Sequence, residues 1–428
     1  MSLTTPRRGS YRPEVEATRW PDVANLPPGG LRARIAERLF ERLVAHLPLR
    51  VLLPDGRNIG GGTASDPAMI LIRPWALHRR VGAGGLIGFG EAYLAEDWTA
   101  PDLPAVLTVF CRRMATLVPP PLQRLRDLAV HRHPHGDRGT ISNARNNISR
   151  HYDLSNDLFT LFLDETLTYS AALFGPGDGS VDIAARAGRG DLARAQRHKI
   201  DRLLDAAGVR AGSRVLEIGT GWGELALRAG ARGANVRSIT LSEEQRTLAL
   251  ARIAAAGLSE RVSVELCDYR DVQGSYDVVV SVEMIEAVGF EFWPQYFATL
   301  DRVLAPGGRV GLQAITMPHD RMLASRDTYT WIHKYVFPGG LIPSVTSVED
   351  SAARAGLRVA SWHGFGLHYA ETLRIWREVF TARAAEIDGF GFDETFRRMW
   401  TFYLAYSEAG FRSRYLDVHQ FVLAKGDA

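Results

Sequence analysis

The residues with the most chemistry in them sit in the middle of the chain. The stretch VLEIGTGWGE, Val215 to Glu224, sets glycines at Gly219, Gly221 and Gly223, after an apolar run and before a helical pattern. Glycine has no Cβ, so such a turn lets a ligand lie against the backbone. A dinucleotide fingerprint would read G-x-G-x-x-G and seat a pyrophosphate on the helix N-terminus. Here the spacing is G-x-G-x-G, no Lys-Ser/Thr pair follows, and Glu224 opens the helix. A carboxylate there suits a ligand bearing a cation and hydroxyls, such as S-adenosylmethionine, better than a pyrophosphate. Taken alone, the turn still admits a dinucleotide or no ligand. The next strand would normally end in an acid that grips a ribose. It ends ITLSEEQ instead, which leaves Glu243 or Gln245 for that task.

Other chemistries find no support. No Ser/His/Asp or Cys/His arrangement suggests a nucleophile. The two cysteines, Cys111 and Cys267, fit neither a disulfide framework nor a zinc site, so a reduced cytoplasm and no metal are expected. Net charge is +3, from 51 Lys+Arg against 48 Asp+Glu, too mild for a nucleic-acid binder. The N-terminus is polar and carries no signal-peptide pattern, and no apolar run nears the ~20 residues that span a bilayer.

The elements that must hold the glycine turn are legible around it. RVLEI, ANVRSITL, RVSVEL, YDVVVSV and GRVGLQAI read as strands alternating with helices such as WGELALRAGA and SEEQRTLALARIAAAG. The latter opens with a Ser242/Gln245 capping box. That alternation predicts an α/β, doubly wound, Rossmann-like sheet with helical insertions, closed by a last strand HQFVLAK. Ahead of it, LRARIAERLFERLVAHL places Leu31, Ile35, Leu39, Leu43 and Leu47 on one helical stripe. RVLLPDGRNIGGG, AMILIR and DLPAVLTVFCRRMATLV add strands and a helix. The predicted division is a loose arm over 1–28, a small N-terminal α+β domain over 29–127, a linker over 128–150 and a catalytic domain over 151–428. The His/Arg-rich stretch at 131–147 reads as a solvated hinge rather than a metal tract.

Seven segments then point to one family. HYDLSNDLFTLFLDETLTYSAALF, VLEIGTGWGELA, LCDYRDV, VSVEMIEAVG, WIHKYVFPGGLIPS, HYAETLRIW and FRRMWTFYLAYSEAGFRS occur in the order found in the cyclopropane-fatty-acid synthase family, which the chain resembles over about 380 residues. IRPWALHRRVGAGGLIGFGEAY resembles the N-terminal domain of its full-length members. LQAITMPHDRMLA, FGFDETFRRMW, Thr220 in place of Cys and Gln313 in place of His resemble the tuberculostearic acid methyltransferase branch.

The resemblance implies S-adenosylmethionine as methyl donor and an unsaturated phospholipid acyl chain as acceptor. It carries cofactor contacts to Tyr169 and Ser170, to Val215, Glu217, Gly219, Thr220, Gly221 and Gly223, to Thr240, Leu241, Ser242 and Gln245, and to Tyr269 and Arg270. Gln245 then stands by the ribose and Tyr269 by the adenine. It implies a bicarbonate ion as general base, held by Glu286, Tyr369, Gln313 and the backbone at Ile315 and Ala171. Ala171 replaces a family Cys, which leaves only its N–H.

The chemistry follows from the acceptor. Alkene π electrons attack the sulfonium methyl directly and leave a carbocation, so the pocket must exclude water and can stabilise the cation with aromatic faces. Tyr169, Phe174, Trp331, Tyr335, Phe337 and Tyr369 are candidates. Loss of a methyl proton after a hydride shift gives a 10-methylene chain; loss with ring closure gives a cyclopropane. The branch favours the first, with a separate reductase completing 10-methylstearate. A cyclopropane synthase and a non-catalytic lipid-binding relative are the competing readings. Basic segments such as RPWALHRR, with Arg73, Arg79 and Arg80, are expected to face an anionic membrane at the inner face of the plasma membrane, at about 1 kcal/mol per near-surface cation. A homo-oligomer is also implied.

Overall fold

The computed structural model describes residues 15–113, 156–175 and 187–425. The hinge read at 131–147 lies outside the described residues. The chain gathers into two compact units, one of Met1–Val106 with Asp393–Phe402, the other of Leu107–Phe392 with Tyr403–Ala428.

In the first unit, β1 (Arg50–Leu52) runs parallel to β2 (Ala68–Leu71), which pairs antiparallel with β3 (Trp98–Thr99). Two helices, Leu31–Val44 and Pro74–Leu94, accompany this sheet. The expected stripe of the first is only partly covered: Leu43 is half-buried and Leu47, past the helix end, is buried. Leu31, Ile35 and Leu39 are 74%, 48% and 40% exposed, while Ala36, Phe40 and Val44 are buried. Both sets repeat every four residues, so apolar spacing alone could not choose between them.

The basic segment also differs from expectation. Arg80 is buried, and its Nε donates to Asp97 at 2.9 Å. Its Nη1 and Nη2 donate to the carbonyls of Asp22 at 2.9 Å and Val23 at 2.6 Å. Arg73 pairs with the same Asp97 at 2.7 Å. Both arginines neutralise a buried carboxylate, and Arg80 also ties down the chain at Pro21–Ala24, so Arg80 is a buried structural cation rather than a lipid-facing one, while the Arg73 side chain stays partly exposed. Arg79 lies over the Trp75 ring, 5.2 Å from its centroid.

The second unit is built on seven strands: β4 (Arg214–Ile218), β5 (Asn235–Thr240), β6 (Val262–Leu266), β7 (Tyr276–Val282), β8 (Leu304–Thr316), β9 (Leu357–Gly364) and β10 (Asp417–Lys425). Their order is β6-β5-β4-β7-β8-β10-β9. The first five are parallel, and β10 runs antiparallel to β8 and β9. This is the expected doubly wound α/β fold with an antiparallel edge. Both faces of the sheet are covered: Val215, Val278 and Val280 belong to one apolar core, Leu216 and Val279 to the other. Near-continuous apolar strands are what two buried faces require. The chain leaves β4 toward β5 and β6 on one side and returns to β7 and β8 on the other. The carboxyl ends of β4 and β7 therefore flank the crevice where such sheets bind ligands.

Candidate active site

The glycine turn follows β4. Gly219 has φ 96°, and a Cβ built there would fall 2.6 Å from the Met284 side chain. Gly221 has φ 51°, with nothing within 4 Å of its would-be Cβ. One glycine thus lets a side chain close in, and the other faces open space. Beneath the turn, buried Glu217 accepts from Ser238 Oγ, which also meets Thr220 Oγ1 at 2.7 Å. Burial pushes the Glu217 carboxyl up to about 8, so it keeps a proton at neutral pH and anchors the turn. Val215 packs in the core below. Glu224 is not aimed at a ligand: it pairs with Arg252 at 2.8 Å and with Arg197 at 3.6 Å. Its charge is answered within the protein, so the charge argument drawn from it does not hold.

At the end of β5, Ser242 Oγ accepts from the Gln245 backbone N–H at 3.2 Å and caps the helix Glu243–Ala255. The reciprocal half of the expected box is absent. Gln245 Oε1 instead accepts from Thr240 Oγ1 at 3.1 Å, and Thr240 Oγ1 accepts from the Ser242 N–H, so Thr240, Leu241, Ser242 and Gln245 form one tight corner. After β6, Arg270 clamps Asp268 at 2.6 Å and lies 5.4 Å from the Tyr269 centroid. Tyr269 meets Tyr296 edge-on, and its buried hydroxyl has no hydrogen-bond partner among the described residues.

The strap Tyr169–Phe174 crosses the other side of the site. Lys199 Nζ, wholly buried, donates to Ser170 Oγ at 2.6 Å, and Gln196 Nε2 donates to the Ser170 carbonyl at 2.8 Å. The Ala172 and Phe174 N–H groups donate to Thr372 Oγ1 and His368 Nδ1 at 3.1 Å each. Helices Arg189–Ala207 and Gly366–Ala382 thus hold the strap on both sides of Ala171 and fix where its N–H points.

That N–H donates, at 3.0 Å, to Glu283 Oε1. Gln313 Nε2 donates to the same oxygen at 2.8 Å, and the Tyr369 hydroxyl donates to Glu283 Oε2 at 2.7 Å. Ala171, Gln313 and Tyr369 do meet, as expected, but on Glu283. Glu286 Oε1 accepts the Ile315 N–H at 2.5 Å, and its buried Oε2 has no hydrogen-bond partner among the described residues. Burial and the neighbouring Glu283 push the Glu286 carboxyl up to about 8. Burial also raises Glu283, while Lys199 and its three donors pull it back down. Both glutamates are half-buried as whole residues. Glu283 was missed by reading the sequence. Two acids three apart directly after an apolar strand, in VEMIE, were the available signal.

Among the aromatic candidates, Tyr169 stacks on Trp376 at 5.3 Å, and Tyr369 meets the same indole edge-on. The Tyr169 hydroxyl lies 2.7 Å from that of Tyr403, against which Phe337 packs. These three candidates share one aromatic wall beside Glu283. Trp331 and Tyr335 pair with each other, and Phe174 stacks on His368.

Residues 140–421 match the family described as mycolic acid cyclopropane synthetase. The chain belongs to that family. It is accordingly an enzyme of the S-adenosylmethionine-dependent methyltransferase class. This family member is 54% identical over 417 residues to the tuberculostearic acid methyltransferase UfaA1 of Mycobacterium tuberculosis, covering 96% of each chain. It is 32% identical to the cyclopropane-fatty-acyl-phospholipid synthase of Escherichia coli K12, over 85% of this chain and 89% of that one. Mycolic acid cyclopropane synthase CmaA1, solved as a complex with SAH and CTAB, is 30% identical and superposes with a TM-score of 0.58 over 68% of this chain and 99% of its own.

The residues fit the donor cofactor of this class. An open Gly221, a corner at Thr240–Gln245 and a buried Tyr269 hydroxyl with no partner among the described residues surround one crevice end. They do not fit the expected bicarbonate. Three of the groups that would hold it, the Ala171 N–H, Gln313 and Tyr369, already bond to Glu283, and the fourth, the Ile315 N–H, bonds to Glu286.

Proposed function

We propose that this enzyme transfers a methyl group to the cis double bond of an oleoyl chain in membrane phospholipid and yields a 10-methylene-stearoyl chain. The observation that carries this reading is the identity to a tuberculostearic acid methyltransferase along nearly the whole chain. S-adenosylmethionine, when bound, supplies an electrophilic methyl on a positively charged sulfur. Tyr169, Ser170, Gly219, Thr220, Gly221, Gly223, Thr240 to Gln245, Tyr269 and Arg270 would hold it. Val215 and Glu217 act beneath, shaping the turn.

The protein's own share of the work is positioning and exclusion. The aromatic wall of Tyr169, Tyr369 and Trp376 offers π faces to a carbocation and keeps water from quenching it. No side-chain nucleophile is needed, since the alkene attacks directly. A hydride shift along the acyl chain followed by loss of a methyl proton gives the methylene; direct closure gives a cyclopropane. Ring formation is the second reading, favoured by the likeness to a cyclopropane synthase.

No described helix is long and apolar enough to cross a membrane. We place the protein as a peripheral enzyme at the inner face of the plasma membrane, where the outward stripe Leu31, Ile35 and Leu39, flanked by Arg34, Arg38 and Arg42, would rest on anionic lipid. Self-association and a separate reductase for the methylene product belong to the same reading.

Product analysis tests it. The purified protein is incubated with S-adenosylmethionine and dioleoyl phospholipid without a reductase, and the released esters are derivatised at double bonds before mass spectrometry, because methylene and ring isomers share a mass. An exocyclic methylene at carbon ten is expected. A saturated ring would make the second reading correct, and absence of any methylated acyl chain would refute both.

A further inference from the structure

The strongest unassigned feature is Glu283. Its carboxylate takes up three hydrogen bonds, from the Ala171 N–H, Gln313 and Tyr369, at 2.7 to 3.0 Å. Its backbone has φ 51°, a left-handed conformation that a residue with a Cβ adopts only under constraint. Strain of this kind persists where the surroundings impose it, and it gathers at working sites. The Glu283 N–H donates to the Gln313 carbonyl at 2.8 Å, so backbone and side chain are fixed against the same residue. Gln313 is in turn held by Gln420 Nε2 at 3.0 Å, which sets its amide with the NH₂ toward Glu283.

Two carboxyls lie together here, and their partners separate their roles. Burial raises the Glu283 carboxyl above its ordinary value, and against that its three donors and the Lys199 ammonium favour the ionised form. Glu286 is buried beside Glu283 and answered by backbone N–H groups alone, of Ile315 and its own, so it is the member that keeps a proton. A further anion at this place would find the Ala171 N–H, Gln313, Tyr369 and the Ile315 N–H already engaged, with the Glu283 carboxylate beside it.

Resting on the methyl-transfer reading above, we propose that Glu283 is the general base of this enzyme, a built-in carboxylate standing where a bound bicarbonate would otherwise serve. Methyl transfer forms a C–C bond at the alkene as the S–CH₃ bond breaks, with the bonding pair left on sulfur. In the resulting cation a C–H bond of the new methyl breaks. Its electron pair becomes the exocyclic double bond, or the closing ring bond, and the proton passes to Glu283. Among the described residues Oε2 accepts from Tyr369 alone and keeps a lone pair for it. The proton goes to solvent on product release, so no oxidant, reductant or second anion enters.

The test uses the full-length protein, S-adenosylmethionine and vesicles of dioleoylphosphatidylglycerol, in buffer freed of CO₂ and then with added bicarbonate. Wild-type turnover is expected to be the same in both. Glu283→Gln should lose at least ~100-fold in turnover, the usual scale of a general base, while binding S-adenosylmethionine within about threefold of wild type by calorimetry. Glu283→Gly, relaxed at φ 51°, frees the three donors and should be revived by bicarbonate. Wild-type turnover that collapses without bicarbonate, or full turnover by Glu283→Gln, overturns the inference alone. No methylated lipid from wild type under any condition overturns the methyl-transfer reading and the inference with it.

Discussion

The site turns on carboxyls held at unusual protonation. Glu217 and Glu286 each keep a proton up to about pH 8 in the folded chain, whereas the unfolded chain releases it near 4.5. The native state therefore binds more protons than the unfolded state across that window, and their contribution to stability falls as pH rises through it. Urea melts of the ligand-free protein should show stability declining by up to a few kcal/mol between about pH 5 and 8 from these groups. Glu217→Gln should flatten that decline; an unchanged slope would refute the assignment. Tyr369→Phe removes one of three donors to Glu283, a hydrogen bond to a charge worth about 1.5–3 kcal/mol. Turnover is expected to drop roughly 10- to 100-fold with S-adenosylmethionine affinity intact, read by steady-state kinetics beside calorimetry. Much of this was written in the sequence: Ala171, Gln313 and Tyr369 could be gathered in advance, and so could the cofactor turn. Glu283 could not be ranked above Glu286, because a left-handed φ and the direction of three donors are properties of folded backbone, not of residue type.

At the scale of elements, the strands β4 to β8 and β10 follow from apolar runs between helical patterns. β9 did not announce itself, since LRVASWHG is a half-exposed edge strand whose outward residues break the apolar alternation. The helix Leu31–Val44 was placed correctly but its expected stripe is only partly covered, because two apolar rows compete on it and only packing decides. The turn after β4 makes a sharper statement. Gly219→Ala meets both a φ of 96° and the Met284 side chain, whereas Gly221→Ala meets φ 51° and open space. The first should weaken S-adenosylmethionine binding at least ~10-fold and destabilise by about 1–3 kcal/mol. The second should cost stability by about 1 kcal/mol, with its effect on affinity set by the ligand alone. Thermal melts with and without the cofactor separate the two.

On the scale of the whole molecule, the two basic features of the N-terminal unit part company. Arg80→Ala leaves buried Asp97 with Arg73 as its remaining cation and frees the Asp22 and Val23 carbonyls, and should destabilise by about 2–4 kcal/mol without selectively loosening lipid contact. Leu31→Ser with Leu39→Ser should leave melting unchanged and lower vesicle sedimentation and turnover on vesicles; equal binding would refute the lipid-facing stripe. The first unit also claims Asp393–Phe402 from late in the chain. Trp20 Nε1 donates to Asp393 at 2.7 Å, Arg398 lies 4.4 Å over the Tyr93 ring, and Phe402 packs on Tyr93 and Trp98. The helix Glu394–Arg412 that supplies these residues continues into the second unit. The N-terminal unit is consequently no cassette. A gene fragment ending at Val106 encodes it incompletely, and a chimera that exchanges only the leading segment with a relative would inherit mismatched walls at Asp393, Arg398 and Phe402.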